Sequence, residues 1–245
     1  MTDFRTLLSQ AAAYAKPPVS NFKVGSVAVG RSGRSYLGAN VEFAGEALSF
    51  TVHAEQAAVV NAWMNGETAI DVVATSAAPC GYCRQFLNEL VTASELRIVV
   101  NAEEIALAEL LPHSFGPRDL GVTGGLLAPA THDLSIDEDD EAARAALAAA
   151  NMSYAPYSKA YAGVALRTHA GPIVTGAYAE NAAFNPSLSP LEAALSQLNM
   201  AGGAWSDITE AVLVQAAEMH ASATRTVLSA IGNAPLRVLR ARNSH

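Results

Sequence analysis

The chain has 245 residues, of which 51% are hydrophobic, 16% charged and 7% aromatic. Its length exceeds the roughly 150 residues of an average domain, allowing one large domain or two similar halves, and its apolar, charge-poor composition excludes intrinsic disorder. Fifteen basic against 23 acidic residues give a net charge of −8 without a basic run, so the cations needed to neutralise a nucleic acid are missing. No stretch reaches the roughly 18 uninterrupted apolar residues of a membrane span. Asp3 precedes any basic residue, so the start lacks the positive flank of a secretory signal. These features predict a soluble cytoplasmic protein with neither a membrane nor a nucleic-acid partner.

The elements follow in chain order. Phe4, Leu7, Leu8 and Ala11 recur at helical spacing and predict a first helix over 3–15. Short β-like runs over 24–30 and 36–40 precede a helix over 52–64, with Thr51 as its expected cap and Gly66 as its stop. A buried strand over 70–76, a helix over 80–92 and a strand near 96–100 complete this part. Residues 112–138 read as a linker, with Pro112, Pro117, Gly124-Gly125 and Pro129, and end in the acidic run Asp137 to Glu141. That run lacks the glycine of a calcium loop and reads as the start of an Ala-rich helix over 139–150, capped by Ser135 or Asp137. Strands over 163–167 and 173–178, a helix over 189–200, a strand over 208–214, a helix over 222–231 and a strand over 236–240 follow. Strands alternating with helices argue for an α/β sheet covered on both faces.

The second succession repeats the first. Pro18, Ser20 and Gly25 match Pro156, Ser158 and Gly163. The repeated Asn-x-x-Phe string sets Asn40 and Phe43 against Asn181 and Phe184, which puts Ala183 where Glu42 stands. The expected organisation is therefore a duplication, with domains over 1–111 and 139–245 joined by the linker.

Two cysteines, Cys80 and Cys83, make up the chain's whole complement, in the run Pro79-Cys80-Gly81-Tyr82-Cys83. This spacing suits either a redox pair or half of a metal site. Thioredoxin-like pairs usually carry Trp where Pro79 stands, and a redox role leaves His53-Ala54-Glu55 without a purpose. Zinc accepts one imidazole and two thiolates and keeps a fourth position open in catalytic sites. Both sulfurs fall on one face of the helix that Pro79 introduces, where the helix N-terminus and Arg84 would favour thiolate. His53 and Glu55 diverge by about 200° on an ideal helix, so they share a site only if that helix aims its N-terminus at it. Glu55 would then be a proton carrier and not a ligand. In the second repeat, Ser189 and Leu191 stand at the His53 and Glu55 positions and the cysteines have no counterpart, which suggests a copy without metal or catalysis.

His-x-Glu followed by Pro-Cys-x-x-Cys is the zinc deaminase signature. The sequence resembles the cytidine deaminases of the two-domain, homodimeric type. The likeness runs from about Leu7 to Val238, through Ser20 to Gly25, Gly38 to Phe43, Thr51 to Gln56, Pro79 to Asn88, Phe115-Gly116-Pro117 and Tyr178 to Pro186. It implies a three-layer α/β/α fold, duplicated with an inactive second copy, and hydrolytic deamination of cytidine and deoxycytidine in pyrimidine salvage. It implies one Zn²⁺ per chain on His53, Cys80 and Cys83, with Glu55 moving protons. Phe22 would stack near the pyrimidine, the Ala54 backbone would contact the base, and Asn40 with Glu42 would hold the ribose. Phe115 would reach into the partner's site in a homodimer. The sequence begins almost at the core, where two-domain relatives carry an extra small helical region. Guanine, cytosine and deoxycytidylate deaminases share the metal motif, but the Asn40 and Glu42 pair favours a nucleoside.

Overall fold

The computed structural model describes residues 3–169 and 171–243. Two compact units emerge. One holds Met1–Glu42, Thr51–Ala128 and Asn181–Ser187, and the other holds Phe43–Phe50, Pro129–Glu180 and Leu188–His245. Each unit thus includes a short segment that belongs, by sequence, to the opposite repeat.

In the first unit, α1 (Phe4–Ala13) starts at Asp3, whose carboxylate accepts the Thr6 amide. Five strands follow the order β2 (Ser35–Ala39), β1 (Gly25–Gly30), β3 (Ile70–Thr75), β4 (Arg97–Val100) and β5 (Glu103–Ala106). Only β3 and β4 run parallel. Helices α2 (Ala54–Met64) and α3 (Gly81–Leu87) and the short α4 (Leu107–Leu110) complete the unit. Adjacent strand residues point to opposite faces. A Cβ on Gly25 would lie 2.4 Å from the Leu8 carbonyl of α1, and one on Gly38, paired with Ser26, would lie 2.1 Å from the Ala58 nitrogen of α2. The two helices therefore cover opposite faces of the sheet, in three layers.

The second unit repeats this plan. Its sheet has the order β10 (Leu236–Arg240), β9 (Ile208–Gln215), β7 (Ala162–Thr168), β8 (Val174–Ala177). A Cβ on Gly163 would lie 2.4 Å from the Ala146 carbonyl of α5 (Glu141–Met152), and one on Gly176 would lie 2.2 Å from the Ala194 nitrogen of α6 (Pro190–Met200). Buried Ala142, Ala143, Ala146 and Ala150 let α5 approach this closely. Helix α7 (Ala221–Ile231) follows β9, and β6 (Leu134–Ser135) pairs with β11 (Arg242–Asn243). Asp140 caps α5, in place of the expected Ser135 or Asp137, because its carboxylate accepts the amides of Ala142 and Ala143. Arg237 beside it holds that carboxyl well below the ordinary carboxylate range.

The structure also corrects the expected register of the repeat. Gly25 pairs with Ala39 and Gly163 with Ala177, a constant offset of 138 (163 − 25 and 177 − 39). At that offset Glu42 corresponds to Glu180 and Asn40 to Tyr178, not to Ala183 and Asn181. The bonding agrees: Glu42 accepts the amides of Val19 and Ser20, and Glu180 accepts those of Tyr157 and Ser158. The similar Asn-x-x-Phe string misleads because Asn181–Phe184 falls in the loop beyond Glu180. Nine residues separate Glu42 from Val52 in the first repeat, and seven separate Glu180 from Leu188 in the second.

Two outcomes follow from this packing. Gly163→Ala forces a methyl into the backbone of α5 and should lower unfolding free energy by about 1–3 kcal/mol or more in urea titrations. Glu192 on α6 is buried and its carboxyl is pushed up to about 7 by burial, from an ordinary 4.5. Its stabilising protonated form is fully kept below about pH 4.5 and is lost as the pH rises through 7. Glu192→Gln, which keeps an oxygen for the Ser189 amide, should be more stable than the parent at pH 8.5 by up to roughly 3 kcal/mol, with little gain at pH 5.

Candidate metal centre and active site

Three element ends of the first unit converge on one place: the C-terminal end of β3 and the N-termini of α2 and α3. His53 is the N-cap residue of α2 and Cys80 that of α3, both extended in backbone. Thr51 is therefore not the cap of α2, as its hydroxyl had suggested. Gln56, in the first turn, bonds back to the N-cap, its side-chain oxygen accepting the His53 amide at 3.1 Å. Gly66, at φ 87°, follows Asn65 at the helix end, as its expected stopping role requires. Ala54 and Glu55 are the first two helical residues, where amides lack intrahelical acceptors. The N-terminus of α2 does point at the site, so the angular difficulty between His53 and Glu55 disappears.

His53 Nδ1 lies 3.3 Å from Cys83 Sγ and 3.6 Å from Cys80 Sγ, and the sulfurs are 3.6 Å apart. Both cysteines are free, since a disulfide would bring the sulfurs to about 2.05 Å. Zn–S bonds near 2.3 Å and Zn–N bonds near 2.05 Å, in a tetrahedron, place two sulfurs about 3.8 Å apart and sulfur about 3.6 Å from nitrogen. The observed triangle fits that ion. Among the described residues, His53, Cys80 and Cys83 form a group able to hold a metal, with ligand atoms all within 4.8 Å of one another.

The electrostatics favour the ligand form at Cys80 and oppose it at Cys83 and His53. Cys83, then His53, hydrogen-bond to the Cys80 sulfur and pull its thiol down to about 3. The same contact, with burial, pushes Cys83 up. Cys80 in turn raises the His53 imidazole above its ordinary value. Arg84, expected to support the thiolates by charge, gives two N–H donors to the carbonyls of Pro79 and Leu110 and so fixes the ligand loop. Glu55 is 4% exposed, and burial raises its carboxyl.

A cavity of about 290 Å³ opens onto this cluster, lined by Phe22, Asn40, Glu42, His53, Ala54, Glu55 and Cys80 among others. The structure thus brings these expected site residues together, and adds Ser20, Val24, Thr51, Ala77 and Ala78 to the lining. Asn40 is partly engaged: its oxygen accepts the Val24 amide and its nitrogen donates to the Phe22 carbonyl, leaving one donor and one acceptor site. Burial pushes the Glu42 carboxyl up, but the Ser20 hydroxyl with the Ser20 and Val19 amides holds it below the ordinary range. Phe22 is 60% exposed at the mouth. Phe115 is not among the lining residues; it is 47% exposed, its carbonyl accepting from Gln85 and Asn88.

The second repeat keeps the frame and changes the donors. Ser189 is the N-cap of α6 where His53 caps α2, and His220 is the N-cap of α7 where Cys80 caps α3. His220 Nε2 contacts the Ala160 carbonyl, and its ring packs edge-on against Tyr178 at 4.4 Å. Ala160 and Tyr178 are the counterparts of Phe22 and Asn40 at the offset of 138.

Residues 2–100 and 107–227 each match a profile described as the cytidine and deoxycytidylate deaminase zinc-binding region. A cytidine deaminase of Photobacterium profundum is 51% identical over 229 residues, covering 92% of this chain and 78% of that protein. One from Vibrio cholerae is 49% identical over the same shares. One from Aeromonas hydrophila is 48% identical, covering 94% of this chain and 80% of its own length. A crystal structure of cytidine deaminase from Mycobacterium tuberculosis, 34% identical, covers 47% of this chain and 99% of that one with a TM-score of 0.42. With a zinc-compatible triangle of one imidazole and two sulfurs and two matching domains, the chain belongs to the cytidine deaminase family, in its two-domain form.

Proposed function

We propose that the chain catalyses hydrolytic deamination of cytidine and 2′-deoxycytidine to uridine and 2′-deoxyuridine, with release of ammonia, as a step of pyrimidine salvage. The observation that carries this reading is the buried Glu55 carboxylate beside the His53, Cys80 and Cys83 triangle, at the end of a nucleoside-sized cavity.

Zinc bound at the triangle supplies Lewis-acid activation of a water. Glu55 takes a proton from the attacking water and delivers it to ring N3, then moves the proton of the newly added C4 hydroxyl to the amino nitrogen, so that the C4–N bond breaks, ammonia leaves and C4 becomes a carbonyl. Its raised pKa suits an alternating donor and acceptor. Phe22 covers one face of the pyrimidine, and the Ala54 amide, directed out of the first turn of α2, receives a polar edge of the base. Asn40 and Glu42 hold the ribose hydroxyls with their remaining hydrogen-bonding capacity, and a carboxylate here repels a nucleotide phosphate.

Residues 1–111 form the catalytic domain in this reading, 112–138 the connecting segment, and 139–245 a copy without metal site or turnover. The exposed Phe115 is suited to enter the neighbouring site of a homodimer. No described helix is long and apolar enough to cross a membrane, and a free two-thiol site suits the reducing cytoplasm.

Glu55→Ala should retain one zinc per chain while turnover of cytidine falls by several orders of magnitude; near-normal turnover would remove Glu55 from its role. Cys83→Ser should lower zinc content well below one per chain, as read by metal analysis. Ammonia release assayed with cytidine, deoxycytidine, cytosine and CMP tests the substrate class, and turnover of the last two in preference to the first two would overturn it.

A further inference from the structure

The segment Asn181–Ser187 comes from the second repeat but belongs to the unit that holds the metal triangle. Four hydrogen bonds fasten it there. The Gln56 side-chain nitrogen donates to the Pro186 carbonyl at 3.1 Å, and the Tyr82 hydroxyl donates to the Asn185 carbonyl at 2.6 Å. Asn181 donates to the Gln85 carbonyl, and the Ala182 amide donates to the buried Glu89 carboxylate. The first two end on groups that touch His53. Gln56 is fully buried, and its oxygen accepts the His53 amide. The Tyr82 ring lies over the imidazole at 5.2 Å, with planes 20° apart.

We propose that Tyr82 and Gln56 are positioning residues through which the second-repeat segment sets the orientation of His53 toward the metal. An imidazole ligand must present its nitrogen lone pair in the ring plane, so both the backbone and the ring rotation of His53 have to be fixed. Gln56 fixes the first and Tyr82 the second. Each of these side chains is polar at its far end and donates a hydrogen bond there. The carbonyls of Pro186 and Asn185 provide the acceptors. The repeat with Ser189 in place of His53 thus supplies the outer support of the metal site in the other repeat, where loss of such support typically costs 10–100-fold in affinity or activity.

This inference rests on the zinc reading above, and the test separates the two. Tyr82→Phe keeps the ring and removes the tie to Asn185. Gln56→Glu keeps the acceptor for His53 and removes the donor to Pro186, as Glu192 does in the second repeat. Each variant should release zinc to excess chelator about tenfold faster than the parent. In cobalt-substituted protein the visible ligand-field bands should shift, while the melting temperature of the metal-free form stays close to the parent's. Tyr82→Leu, which also removes the stacked ring, should release zinc faster still. Zinc release and cobalt spectra identical to the parent's in both Tyr82→Phe and Gln56→Glu would overturn the inference while leaving the deaminase assignment intact. So would a fall in metal-free melting temperature with unchanged zinc release, which marks a structural bond only. A parent chain that binds no zinc would bring down the metal reading and this inference together.

Discussion

The structure of the site depends on one arrangement, the meeting of two helix N-termini at the end of strand β3. An N-cap residue is extended while the next residues are helical, so a side chain at that position projects past the helix end and into the space beyond. His53 and Cys80 both occupy it, and Cys83 follows one turn later. Three donors from two distant stretches of chain thereby close a triangle with 3.3–3.6 Å edges. Contacts from Cys83 and His53 favour thiolate over thiol at Cys80, so the geometry that gathers the ligands also prepares the charge of one of them. Glu55 enters the same space because it lies in the first turn, before the helix has rotated it away.

The duplication separates what the frame needs from what the chemistry needs. Gly25 and Gly38, with Gly163 and Gly176, persist in both repeats because helix backbones sit where a Cβ would be. Glu42 and Glu180 persist because each carboxylate collects backbone amides from the loop before β1 or β7. Persistence of that glutamate is thus explained by loop architecture in both copies, and a sugar contact in the first would use capacity left over from it. The donors themselves do not persist: Ser189 and His220 occupy the cap positions of His53 and Cys80. The capping glutamine of α2 has become the buried Glu192, a change that keeps the cap and adds an ionisable carboxyl without a cation beside it.

Sequence alone determined much of this protein. Hydrophobic periodicity placed each main helix and strand, the cysteine spacing with Pro79 and His53-x-Glu55 marked the metal site, and Gly25 with Gly163 signalled the duplication. These are local properties, since a turn of helix or a strand face is written within a few adjacent residues. The short strand β5, helix α4 and the β6–β11 pair escaped because elements of two to four residues carry no readable period. Tertiary structure decided the rest. Asp140, not Asp137, caps α5 because only its carboxylate meets both the helix amides and Arg237 from a strand 97 positions away. The true partner of Glu42 is Glu180, fixed by strand pairing that a similar Asn-x-x-Phe string concealed. The support of His53 by Asn185 and Pro186 was beyond sequence reading for a physical reason: the acceptors are backbone carbonyls, which every residue possesses, and only folding brings them against Tyr82 and Gln56.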